Sequence, residues 1–109
     1  MEQLDNNKKI CLTEHTICKV EEIHKMSVEC NRHKNISHSQ ILLDMMRHHI
    51  EEIEELLKDN NSHYLIETGD LIVLCMELLL DNNVDLNDIL NTCFQRFKKK
   101  LSNLTNQQG

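Results

Sequence analysis

Between Cys11 and His33 the apolar residues Ile17, Val20, Ile23 and Met26 recur every three positions. That is the spacing of one helical face, and it predicts a first helix over this stretch. Asn35 interrupts the pattern, and Ser37 or Ser39 offers the side-chain oxygen that caps a new helix start. The second helix is expected to run to about Lys58 along a stripe of Leu42, Met46, Ile50, Ile53 and Leu57. Asp59-Asn60-Asn61-Ser62 reads as a turn that also supplies the next cap. A third helix follows from about His63 to Leu80, where Asp81-Asn82-Asn83 breaks it. Asp85 or Asn87 then starts a fourth helix, ending near Ser102. Residues 1–10 are expected to form a flexible amino terminus, 11–102 a single domain and 103–109 a flexible tail.

The third helix differs from the others. Leu65, Ile66, Leu71 to Met76 and Leu78 to Leu80 cover almost its whole circumference. A helix apolar all round must be buried all round. Three short companions shield only part of it, so the rest is expected to meet another subunit, giving a homodimer or a tetramer built from dimers.

Composition narrows the class. The chain has 109 residues, no proline and two glycines, too few turn residues for a sandwich or barrel. No glycine-rich phosphate loop is present, which removes Rossmann and P-loop nucleotide binding. The expected fold is all-α, a four-helix bundle-like chain. A net charge of −6 argues against binding a nucleic-acid polymer. No apolar run reaches the ~18–20 residues of a membrane span, so no membrane partner is expected. Five cysteines at irregular spacing read as reduced thiols of a cytoplasmic protein.

The chemistry lies in the acids. Glu67 and Asp70, three residues apart, project from one face at the start of the apolar third helix. The second helix carries Glu51, Glu52, Glu54 and Glu55, with Glu52 at the edge of its apolar stripe and Glu55 beside it. The short Asp59–Ser62 turn makes the two helices antiparallel neighbours and brings Glu52 and Glu55 towards Glu67 and Asp70. Each pair of charges at ~5 Å repels by about 3 kcal/mol at an effective dielectric near 20. A divalent cation resolves the conflict, and an all-oxygen donor set suits Mg²⁺, or Mn²⁺, better than zinc or copper.

Glu51-Glu52-Ile53-Glu54-Glu55 followed by Glu67-Thr68-Gly69-Asp70 resembles the E-E-x-x-E … E-x-x-D signature of MazG-like nucleotide pyrophosphohydrolases. The resemblance extends from about Ile41 to Leu101. It implies the all-α NTP pyrophosphatase bundle, assembled through its helices, with Glu52, Glu55, Glu67 and Asp70 as Mg²⁺ ligands and Glu51 as an accessory acid. The implied reaction splits a nucleoside triphosphate between its α and β phosphates, with Glu51 or Glu55 taking the proton of the attacking water. Related enzymes hold the triphosphate with basic residues in the fourth helix. Asn91, Arg96 and Lys99 are the candidates here, while Cys93 stands where a lysine is expected. Two alternatives remain open, a non-catalytic helical oligomer and the phosphoribosyl-ATP branch of the same family. Cys11, His15 and Cys18, with Cys30 and His33 further on, lack zinc-site spacing and read as ordinary half-buried side chains. His48 and His49 do not complete a Glu-x-x-His di-iron motif.

Overall fold

Each helix begins where a side-chain or backbone acceptor closes its free amides. In the computed structural model, which describes residues 9–108, Thr13 caps α1 (Glu14–Asn31) and Ser37 caps α2 (His38–Lys58), each accepting from the amide three residues on. Asp85 does the same for α4 (Leu86–Gln108), its Oδ1 accepting from the Asp88 N–H at 3.0 Å. The start of α3 (Tyr64–Leu80) departs from expectation. Its cap position is His63 rather than Ser62 and makes no side-chain cap bond; instead Asn61 Oδ1 accepts from the His63 amide.

The turn between α2 and α3 closes with the Asn60 N–H donated to Leu57 O and the Asn61 N–H donated to Leu56 O. Asn60 sits in the left-handed region at φ 55°, which makes this the paired-bond termination usually built around glycine. The hairpin it creates, α2 against α3, is the most extensive packing in the molecule; α1 lies across α3, and α4 touches the rest sparingly. No strand occurs among the described residues, so the all-α expectation holds. The expected end of the fourth helix does not. It continues through residues 103–108, because nothing in Leu101-Ser102-Asn103-Leu104 stops a helix. The expectation of a flexible amino terminus falls mostly on residues 1–8, outside the described residues.

The inward faces are more polar than the apolar stripes suggest. Along α1 the inward positions are Ile17, Val20, His24, Ser27 and Asn31, while Ile23 and Met26 are exposed. Along α2 they include His38, Leu42, Met46, His49, Ile53 and Leu56, leaving Ile50 and Leu57 outside. On α3 the three buried residues are Glu67, Leu74 and Glu77. The fully apolar α3 is therefore not enclosed within one chain: Leu65, Ile66 and Ile72 face outward. The buried apolar core consists of Val20, Leu42, Leu74 and Leu86. Among the described residues no helix is long and apolar enough to cross a membrane.

Candidate metal centre

The α2–α3 hairpin sets the acids against one another. Three positions of α2 within one helical turn, Glu51, Glu52 and Glu55, line an open cleft of about 560 Å³ together with Glu67 of α3. His48, His63 and Asp59 complete its polar wall, and no lysine or arginine is among the described residues lining it. Three of the four expected metal ligands, Glu52, Glu55 and Glu67, and the expected accessory acid Glu51 thus share one cavity.

Asp70 lies one turn further along α3 and is exposed. Oxygens of Asp70 and Glu67 and a ring nitrogen of His49 lie within 4.8 Å of one another, which ties Asp70 to the cluster through Glu67. A purely structural Asp70 would need a cation such as Arg47 or Arg96; Arg47 pairs instead with Asp44 at 2.9 Å, and Arg96 lines a groove on α4.

Glu67 is the pivot. It is 9% exposed, and a carboxylate so buried requires hydrogen-bonding partners. His49 Nδ1 stands 2.5 Å from its Oε2, and His63 Nε2 lies 3.6 Å from Oε1. At the rim His48 Nε2 meets Glu52 Oε1 at 2.9 Å, one helical turn apart. His49 joins the carboxylates of this cluster as the partner of Glu67. The sequence signal for it was present, since His49 is three residues before Glu52 on the inward side of α2, but the apolar stripe drew the inner face through Ile50.

The expected substrate contacts fare differently. Asn91 is committed to the fold: its Oδ1 accepts from the Ile10 N–H at 2.7 Å, and its Nδ2 donates to Ile10 O and Asn87 O at 2.9 and 2.8 Å. With both ends of the amide occupied, Asn91 acts as the clamp that pins the amino-terminal segment to α4, not as a phosphate ligand. Asn87 repeats the motif by accepting from the Leu12 N–H at 2.7 Å. Arg96 and Lys99 line a separate groove on α4 with Cys93, Phe97, Lys100 and Asn103; the chain does not bring them to the acidic cleft.

All five cysteines are free thiols, Cys11, Cys18 and Cys30 exposed, and His15 and His33 are exposed as well. Burial pushes the Cys75 thiol above its ordinary value. No protein family, no characterised protein and no solved structure is found to match the chain.

Proposed function

We propose that the chain is a Mg²⁺-dependent nucleoside triphosphate pyrophosphohydrolase that acts as a homo-oligomer. The observation that carries this reading is the convergence of Glu51, Glu52, Glu55 and Glu67 on one cleft without a neutralising lysine or arginine. Such a donor set fits an oxygen-preferring cation, and the nearby imidazole of His49 is compatible with Mn²⁺ as the alternative. In this reading Glu52, Glu55, Glu67 and Asp70 hold the ion, and His49 fixes the orientation of the Glu67 carboxylate. A bound divalent ion offsets phosphate charge and makes water more acidic.

The protein's own acid–base work falls to the cleft rim. Glu51 or Glu55 accepts a proton from water as its oxygen attacks the α phosphorus. The bond from that phosphorus to the α–β bridging oxygen breaks, and nucleoside monophosphate and pyrophosphate leave. Phosphate contacts from Arg96 and Lys99 require a second copy of the chain, because in one chain these residues line another groove.

Purified protein incubated with a panel of NTPs and dNTPs, with and without Mg²⁺, tests the reading. Metal-dependent pyrophosphate release from at least one substrate is expected, and none from any substrate refutes it. The commitment of Asn91 to the fold and the placement of Arg96 and Lys99 favour a second reading, a non-catalytic helical oligomer. Under that reading millimolar Mg²⁺ leaves the melting temperature unchanged, whereas specific binding to the folded state raises it.

A further inference from the structure

Three buried side-chain atoms among the described residues lack a hydrogen-bond partner: His24 Nδ1, His38 Nε2 and Glu77 Oε1. Buried polar atoms are nearly always satisfied, so each of the three calls for a partner. All three belong to one cluster. The His24 and His38 rings have centroids 5.4 Å apart, and His24 Nδ1 lies 3.5 Å from Glu77 Oε1, within ion-pair range but outside hydrogen-bond geometry. His24 Nε2 lies 3.8 Å from Asp81 Oδ1. Ligand atoms of His24, His38 and Asp81 all fall within 4.8 Å of one another. Glu77 beneath them is 3% exposed.

We propose that His24, His38 and Asp81 form a second metal centre, distinct from the acidic cleft, that takes Zn²⁺ and staples α1, α2 and α3 together, with Glu77 orienting the His24 ring from its Nδ1 side. The donor set decides the metal: two imidazoles with one carboxylate suit zinc and its borderline neighbours, whereas Mg²⁺ prefers oxygen alone. The surrounding hydrogen bonds have the form found around ligating side chains. Ser39 Oγ donates to Asp81 Oδ2 at 2.8 Å, leaving Oδ1 turned towards His24. Asn31 Nδ2 sits 3.1 Å from His38 Nδ1; turning this amide by 180° brings its oxygen to the ring, where it accepts the Nδ1 proton and leaves the Nε2 lone pair for the ion. Tetrahedral zinc with bonds of 2.0–2.1 Å places its ligand atoms about 3.3 Å apart, so the three protein ligands, within 4.8 Å of one another, close on it with shifts of roughly 1–1.5 Å at most, and water takes the fourth position.

The position also gives the centre a purpose. His38 and His49 are eleven residues apart on α2, or about 16 Å along the axis. The two clusters therefore lie at opposite ends of the hairpin. A cross-link at the His24 end ties α1 to a hairpin whose apolar core is thin, the circumstance in which small folds use metals.

Metal-free, full-length protein titrated with Co²⁺, the spectroscopic stand-in for Zn²⁺, tests the proposal. The Asp70→Asn background, which disables the other cluster, is expected to take up one equivalent with visible d–d absorption, and Zn²⁺ should displace it. The thiolate-to-cobalt charge-transfer band that cysteine ligation gives should be absent. In that background His38→Gln and Asp81→Ala each weaken binding by about 100-fold. Asp70→Asn alone changes it by no more than about twofold. Asp81 is partly exposed, so its variant remains informative if His38→Gln loses its helical circular dichroism. No visible absorption, a thiolate band, or undiminished binding in Asp81→Ala overturns the proposal.

Discussion

Asp70 is the residue at which holding a metal and holding the fold predict different outcomes. It is exposed, beside Glu67 and His49, and pairs with no lysine or arginine among the described residues. Asp70→Asn removes one negative charge from a crowded group without changing its size. The metal-free variant is expected to be as stable as the parent or slightly more so, by no more than about 1 kcal/mol because solvent screens the repulsion. It should lose both Mg²⁺-induced stabilisation and pyrophosphate release. A clear fall in the metal-free melting temperature would show Asp70 to be a structural partner instead. Its neighbour Gly69 lies inside α3, and a Cβ added there meets nothing within 4 Å. Gly69→Ala is therefore expected to stabilise the fold by about 0.5–1 kcal/mol in chemical denaturation. Destabilisation would mean that the open space beside Gly69 is filled in the assembled protein. Cys75 supplies a pH-dependent readout. With its proton held more tightly by burial, it should be alkylated last, and its labelling should rise only at a pH above that needed by exposed Cys11, Cys18 and Cys30.

Among the elements, boundaries were legible because they are local. Ser37 and Asp85 start helices, and the Asp59-Asn60-Asn61 turn stops one, through bonds spanning three to five residues. The acidic signature was legible for a related reason: a short turn between two helices fixes which of their ends meet, so Glu52, Glu55 and Glu67 had to share a cleft. Inner faces were less legible. A stripe drawn through apolar residues assumes that the buried side chains are apolar ones, and here His24, His38, His49, Glu67 and Glu77 occupy inward positions. They displace Ile23, Met26, Ile50 and Leu57 to the outside. Histidine and glutamate can be buried only with partners on other helices, and such pairing across 18 to 53 residues of sequence leaves no periodic trace. The Asn91 clamp leaves no periodic trace for the same reason, since its partner Ile10 lies 81 residues away. Asn91→Ala should cost about 1–3 kcal/mol by leaving the Ile10 amide and carbonyl without it. Leu42→Ala, at the one fully buried large side chain among the described residues, should cost about 2–5 kcal/mol. Equilibrium unfolding measures both. A loss at Asn91 near zero would return that residue to the substrate candidates.

At the scale of the whole molecule, the single chain is more open than a compact domain of its length. Its radius of gyration is 17.3 Å, against about 13 Å for a compact domain of this length. Its accessible surface is 9041 Å², against about 6,300 Å² for a compact monomer of this mass. The excess is on the scale that permanent dimers bury. Apolar side chains account for much of it. Phe94, Phe97, Leu101 and Leu104 are exposed along α4, at the alternating three- and four-residue spacing of a helix seam that packs against another helix. Leu65, Ile66 and Ile72 of α3 add a second exposed patch. A second copy of the chain is the occupant that fits both, because it supplies equally apolar faces and a route for Arg96 and Lys99 to reach an acidic cleft. Sedimentation at micromolar concentration is therefore expected to show a dimer or tetramer. Phe97→Glu with Leu101→Glu should shift the protein towards the 12.9 kDa monomer and reduce the helical signal of α4, which has little support from its own chain. A wild-type chain that sediments as a stable monomer would contradict the assembly and remove the only path by which the basic residues of α4 meet the carboxylates of α2 and α3.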